Sequence, residues 1–373
     1  MAVGTNLASV LGGRVLCGTI EKIKPGLPVE SLPPGLMTPN RKINGNNCTY
    51  YQVNGSRQTA RMVQYGAASQ RRTISGVSEV PVILSHWAEN MEIKPATLMN
   101  LQSQTGEEQE RGEQEVTRQL KETKQISENT RAAYVMAAFA LGQIYFGLDG
   151  SLSATTVSGG QSIDMKIPAA NATQGLDTDG STALVSASWL TAGTNIVGDV
   201  VRIQKRALQQ SGYKLKNALY GSAVINAMLA NTSLQNIIYR SPEYQKAFSQ
   251  GMIPNGFLGL NWYPAYETFF EDNTDTAGAG AIKELFPTGQ VTFLPEVSAD
   301  WYELIEGSKL IPSGVGASAD ISQLIGSAMN AYGEFAYAYA TMDPFTCTMV
   351  YGDTFLPVIK VPSAVYKLGV IYT

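Results

Sequence analysis

The chain has few of the side chains that most enzyme chemistry uses. Its 373 residues include one histidine, His86. A catalytic triad or a histidine metal site would have to use that residue, and no GxSxG elbow accompanies it. His86 precedes Trp87 in a stretch that reads as strand, so a structural or exposed role is expected. Cys17, Cys48 and Cys347 form no CxxC pair. A zinc site and a disulfide framework are therefore not indicated, and reduced thiols in a cytosolic setting fit best. The Gly278-Ala279-Gly280 loop lacks the Lys-Ser/Thr ending of a phosphate cradle. Glu107-Glu108 and Asp272 with Asp275 lack the alternation of a calcium loop. No enzyme, cofactor or metal is expected.

Charge is also scarce, at 16% of residues against roughly 25% in ordinary soluble proteins. Such a chain either covers much of its surface with partners or is rich in strands and turns. The net charge of −4 argues against a simple nucleic-acid-binding protein. It is unevenly spread, with residues 1–104 carrying ten Lys or Arg and five Asp or Glu. That basic region either lies near a polyanion or is a solvated face. No run approaches 18 uninterrupted apolar residues, so no membrane span is expected. The start of the chain lacks a charged-then-apolar signal pattern.

The long stretch from Glu107 to Leu148 stands out. It opens charged, as EEQERGEQEVTRQLKETKQ, and turns apolar, as ENTRAAYVMAAFALGQIYFGL, with no proline. Val116, Leu120, Thr123, Ile126, Ala133, Ala137, Ala140, Leu141 and Ile144 recur at helical steps. The spacing predicts one helix over 107–148, with Gly112 a weak spot costing about 1 kcal/mol against Ala.

Residues 1–47 read as an extended arm, since Pro25, Pro28, Pro33, Pro34 and Pro39 oppose helices and central strands. Residues 48–94 read as a long β-hairpin whose polar tip, GAASQRRTISGVSE, projects or lies on another molecule. Later segments predict a strand at 163–167, helices over Ala183–Leu190 and from Ile196 to Gly212, and a strand at 215–220. A helix at 221–230, strands at 256–264 and 291–295, and an alternating aromatic strand pair after Gly333 complete the pattern. The fold class expected is α+β.

The order of these parts, rather than any one motif, resembles the major capsid protein of tailed double-stranded DNA phages, in the lambda-like branch. Its carriers are VPVILSHWAENMEIKP, TRAAYVMAAFALGQIYFG, ALYGSAVINAMLAN, GLNWYPAYETFFEDN with LFPTGQVTFLPE, and DPFTCTMVYGDTFLPVIKVPSAVYKLGVI. The resemblance implies an amino-terminal arm (1–47), an extended loop (48–94), and a peripheral domain (95–190) with a spine helix (107–148). It further implies an axial domain (191–333), return strands to the peripheral domain (334–352) and a closing strand of the axial domain (353–373).

The same resemblance implies a self-assembling icosahedral shell of hexamers and pentamers around double-stranded DNA. A separate scaffolding protein, a possible cementing protein and assembly in the host cytoplasm are implied with it. An encapsulin-type bacterial compartment shell shares the fold and is the alternative. Arg57, Arg61, Arg71 and Arg72 of the hairpin are candidate intersubunit contacts. The acidic start of the long helix, Glu107, Glu108 and Glu110, supplies candidate partners, because arginine's planar fork suits carboxylates. Some relatives join the extended loop to a neighbour through a lysine. No lysine stands between Lys42 and Lys94, so a shell without covalent cross-links through this loop is expected.

Overall fold

The structure is a computed structural model. It describes residues 10–24, 31–53, 77–103, 106–147, 152–153, 158–176, 180, 182–265, 268–270, 282–312, 316–317, 328–342 and 345–372. The amino-terminal part holds helix α1 (Gly13–Ile20) and strand β1 (Arg41–Ile43). The hairpin region supplies β2 (Asn47–Val53), β3 (Val77–Ile83) and β4 (Ser85–Ile93). Helices α2 (Pro95–Gln102) and α3 (Gly106–Ala140) follow, then β5 (Gln143–Phe146), β6 (Leu152–Ser153), β7 (Gln161–Asp164) and β8 (Ala172–Thr173).

Next come α4 (Ile196–Gln210), β9 (Leu215–Tyr220), α5 (Ser222–Ala230), α6 (Thr232–Ile238) and α7 (Pro242–Ser249). The remaining strands are β10 (Asn261–Pro264), β11 (Thr268–Phe270), β12 (Ile282–Glu284), β13 (Gln290–Pro295) and β14 (Tyr302–Pro312). They continue with β15 (Gly316–Ala317), β16 (Ala328–Tyr332), β17 (Phe335–Met342), β18 (Phe345–Ile359) and β19 (Tyr366–Gly369). The class is mixed α+β.

Two sheets organise these elements. A seven-stranded sheet is built around β18, and a five-stranded sheet runs in the order β10-β9-β13-β19-β8. Along one side of β18 lies β4, registered from Cys347↔Ile93 to Phe355↔Ser85. The other side is shared, by β17 up to Gly352 and by β14 from Phe355 onward. At Gly307, β14 leaves β18 and pairs instead with β16, from Ser308↔Tyr332 to Pro312↔Ala328. The β14–β16 flap buries Ile311 and Ala331 against Phe335 and Val350.

Several expectations are corrected. The long helix ends at Ala140 rather than Leu148, because Gly142 adopts φ +72°, the left-handed conformation that closes helices. Its apolar continuation, QIYF, is strand β5, with Ile144 fully buried. Ile126, expected on the buried stripe, is exposed, and Ser127 is buried in its place. Gly112 is no weak spot. A Cβ there would stand 2.9 Å from Leu101 Cγ, so the glycine lets α2 approach α3.

Residues 1–47 are not wholly extended. The prolines begin only at Pro25, and α1 ahead of them buries Leu16 and Ile20 in a cluster with Met349 and Tyr351. The hairpin's return strand is two strands divided at buried Leu84, β3 pairing with β2 and β4 with β18. Ala183–Leu190 is not helical. Its Ser186 N–H and Trp189 Nε1 donate to Asp199, at 3.2 and 3.1 Å, which ties the segment to the first turn of α4. The strand expected at 256–264 is shortened to β10 by the 3-10 turn Phe257–Gly259. β14 and β16, which fall in 191–333, belong to the large sheet, and β18 crosses the 352/353 boundary unbroken.

Candidate functional site: a helix anchored to two sheets

Helix α3 is about 52 Å long at 1.5 Å per residue over its 35 residues. Its first part is amphipathic, burying Gly112, Val116, Leu120, Thr123 and Ser127 at steps of three and four. The outward face is charged. Glu107, Glu108 and Glu110 are exposed there, and the first two suit the positive end of the helix dipole. Glu108 accepts from Ser103 Oγ at 2.5 Å. Arg118 bridges Glu115 and Glu122 at 2.7 and 2.5 Å.

From Arg131 to Ala140 every residue is buried. Arg131 is the one charge in this stretch. Its Nε donates to Asp353 Oδ2 at 2.6 Å, and its Nη2 donates to Asp353 Oδ1 at 3.0 Å and to Glu306 Oε1 at 2.9 Å. The guanidinium also lies 5.4 Å from the Phe355 ring centroid. One turn earlier, Ser127 Oγ donates to Glu334 Oε1 at 2.8 Å, and two turns earlier Lys124 Nζ donates to Glu334 Oε2 at 2.5 Å.

The carboxylates come from three places that converge beside β18: β14, the β16–β17 turn and β18 itself. This is where β14 and β17 part company along the long strand. Glycines make the junction possible. Gly333 has φ +65°, and a Cβ on it would stand 2.4 Å from Glu306 Oε1. A Cβ on Gly307 would stand 2.7 Å from Thr354 Cγ2.

Burial opposes the charge of Arg131, but Asp353, Glu334 and Glu306 outweigh it and raise its pKa. For Glu306 burial prevails over the pull of Arg131, and its pKa is raised. The cluster thus holds a permanent cation whose removal would strand buried carboxylates, a change that typically costs about 3–5 kcal/mol.

The carboxyl end of α3 meets the other sheet. Phe139 O accepts from Thr292 Oγ1 at 3.1 Å, Ala140 O from Gln290 Nε2 at 2.7 Å, and Leu141 O from Lys367 Nζ at 2.5 Å. Strands β13 and β19 of the five-stranded sheet carry these donors. They satisfy carbonyls that a helix end leaves without intrahelical partners, and the lysine suits the negative end of the dipole. One helix is thereby fixed to both sheets.

The β2–β3 ribbon has two unlike faces. Cys48, Tyr50 and Gln52 are buried on the chain's own core, whereas Tyr51, Val53, Val77 and Ile83 are exposed, Tyr51 by 54% and Ile83 by 71%. Cross-strand register puts Val53 opposite Val77 and Tyr51 opposite Glu79 on that outer face. Arg57, Arg61, Arg71 and Arg72 lie outside the described residues.

Sequence reasoning did not single out Arg131, Glu306, Glu334 or Asp353. One signal was available: Arg131 is a lone charge at the entrance to ten helical residues that otherwise read AAYVMAAFA.

A family model for phage major capsid protein E matches residues 35–303, more than half of the chain. The chain belongs to the phage major capsid protein E family. No curated protein sequence matches it. Among solved structures it is similar to a phage-related protein from Bordetella bronchiseptica. The two are 10% identical with a TM-score of 0.51, over 97% of this chain and 98% of that one. It is also similar to the mature capsid of bacteriophage PhiM1, at 8% identity and TM-score 0.44, over 93% and 89% of the two chains.

The Bordetella likeness is one of fold. The family match makes this major capsid chain a structural shell protein of the virion, present in many copies. It favours the phage head over the encapsulin-type compartment.

Proposed function

We propose that copies of this chain assemble as hexamers and pentamers into an icosahedral shell around double-stranded DNA, each copy laying its hairpin over a neighbour. The outer face of the β2–β3 ribbon carries this reading. A two-stranded ribbon is marginally stable in water on its own. Here one face is already used internally, and the second exposes Tyr51, Val53, Val77 and Ile83 beside Glu79. Large apolar side chains exposed on one face in this way fit a protein partner, and a second copy is the partner a shell supplies.

Charge supports the direction of the contact. Residues 54–76 hold Arg57, Arg61, Arg71 and Arg72 and no acidic residue. The outward face of α3 begins with Glu107, Glu108 and Glu110. The proposed pairing sets hairpin arginines of one copy against this acidic turn of the next. The body around α3 and the large sheet serves as the peripheral domain, and the five-stranded sheet with its helices as the axial domain. A scaffolding protein guides assembly in the host cytoplasm, and a cementing protein over the joints fits a shell that has no lysine in its loop.

Electron microscopy of the chain expressed with its scaffold tests the reading. Uniform hollow shells are expected from the wild type, and few or heat-sensitive shells from Arg71→Glu with Arg72→Glu. Monomers alone at high concentration would refute the assembly, and normal, equally heat-resistant shells from the double variant would refute the arginine contacts.

A further inference from the structure

The strand junction has a second side, opposite the Arg131 cluster, and the chain's one histidine lies on it. Residues alternate between faces along a strand. Thr354 and its register partner His86 therefore face away from Asp353. The β14–β16 flap packs on that other face through Ile311 and Ala331, and His86 stands beside it with its side chain still exposed.

His86 is held there by three contacts from three strands. Its ring stacks on Phe335 of β17 with centroids 5.7 Å apart and planes 13° apart. Its Nδ1 is 2.8 Å from Thr354 Oγ1 of β18. Its Nε2 is 2.9 Å from Lys309 Nζ, which β14 contributes from the flap. The same Nζ lies 4.7 Å from the Phe335 ring centroid.

An ammonium group can only donate. Nε2 must therefore be the acceptor, the proton of the neutral ring must sit on Nδ1, and Nδ1–H donates to Thr354. The contact exists only while His86 is neutral. Protonation would put an N–H on Nε2, facing Lys309, and two cations would meet at hydrogen-bond distance.

We propose that His86 and Lys309 form a proton-operated latch, closed at neutral pH and opened by acid, between hairpin strand β4 and the β14–β16 flap.

The charged groups around the ring agree with this direction. Lys309 is the cation from β14. Asp353 on β18 is a carboxylate that favours protonation, and its oxygens are engaged by Arg131 on the far face. The β17 neighbour, Phe335, is uncharged, and on β16 Tyr332 donates its hydroxyl proton to Asn44. Burial first, then Lys309, holds the His86 pKa below its ordinary value of 6.5. A histidine whose pKa is lowered in the folded chain contributes stability that is complete above the free value. That stability is lost as pH falls from there through the folded value.

The latch needs no particular assembly and is testable in shells or in free subunits. Exchange of the imidazole Cε1 hydrogen, read by mass spectrometry, gives the titration of a single histidine in a particle of any size. Wild-type His86 is expected to titrate below 6.5, and in Lys309→Met its midpoint rises toward that value. Amide exchange of residues 308–311 and 328–332, corrected for intrinsic rate, is expected to speed up between pH 7.5 and pH 5, by up to a factor of about ten for each unit by which the folded chain lowers the histidine pKa. In His86→Gln that acceleration disappears. A His86 midpoint at or above 6.5, a midpoint unmoved by Lys309→Met, or the same acceleration in His86→Gln would overturn the latch.

Discussion

Up to Ser127, helix α3 buries about one residue in every turn, whereas from Arg131 to Ala140 it buries all of them. The outer part spends its charges on itself and on solvent. Arg118 reaches Glu115 and Glu122 along the same face, and exposed pairs of this sort contribute little to stability. The inner part carries one charge, and that charge meets carboxylates from separate strands. The same helix is thus a surface at one end and a structural pin at the other. Charges placed alike in sequence differ in consequence because burial sets the cost of leaving them unpaired.

The contrast can be broken most forcefully at Arg131. Arg131→Met is expected to destabilise the folded chain by about 3–5 kcal/mol, since Asp353 and Glu306 would remain buried without their cation. Chemical denaturation of the assembly-competent subunit measures it, and a loss below about 1 kcal/mol would remove the inner half of the comparison.

Next in size is the ribbon. Ile83→Asp with Tyr51→Ser is expected to leave the subunit's unfolding midpoint nearly unchanged, because both side chains are exposed in the single chain. Shell yield in sedimentation should nevertheless fall at least tenfold, about 1.4 kcal/mol per contact. Equal loss of subunit stability and assembly would mean that the face is internal.

Lys367→Met comes third, at about 1–2 kcal/mol. It removes a charge-assisted donor to Leu141 O and the cation at the helix end, which thermal unfolding can read.

Glu306→Gln is expected to cost about 1 kcal/mol or less near neutral pH, because burial already raises the carboxyl's pKa. The sign follows from linkage. The folded chain holds this proton more tightly than the unfolded chain, so its contribution is favourable at low pH. It is lost as pH rises from the ordinary carboxylate range through the raised value. The variant should therefore flatten the fall in stability over that window, and a steeper fall would contradict the assignment. The smallest effect belongs to the surface: Arg118→Ala should leave the thermal unfolding midpoint nearly unchanged.

Much of the architecture could be read from local pattern. The 107–148 periodicity, the 215–220 strand and the alternating aromatics after Gly333 each carry their own signal; the strands appear in place, and the helix does as far as Ala140. The end of α3 was harder to read, since Leu141 to Phe146 stays apolar across the change from helix to strand. Only Gly142 marks the stop. The helix at α1 was obscured by the prolines that follow it.

The junction was the least legible part. Its charged members lie 175 to 222 residues from Arg131 in sequence, and each taken alone is an ordinary acidic residue. Their meaning comes from the topology that brings β14, the β16–β17 turn and β18 to one point. The hairpin arginines were chosen from charge pattern alone, and they fall outside the described residues.

The most direct measurement is a density map of assembled particles by electron cryomicroscopy, at a resolution that separates strands. A closed shell is expected in which the outer face of each β2–β3 ribbon, with Tyr51 and Ile83, is covered by a neighbouring copy. Particles in which that face looks into solvent, or a chain that forms no shell with its scaffold, would contradict it.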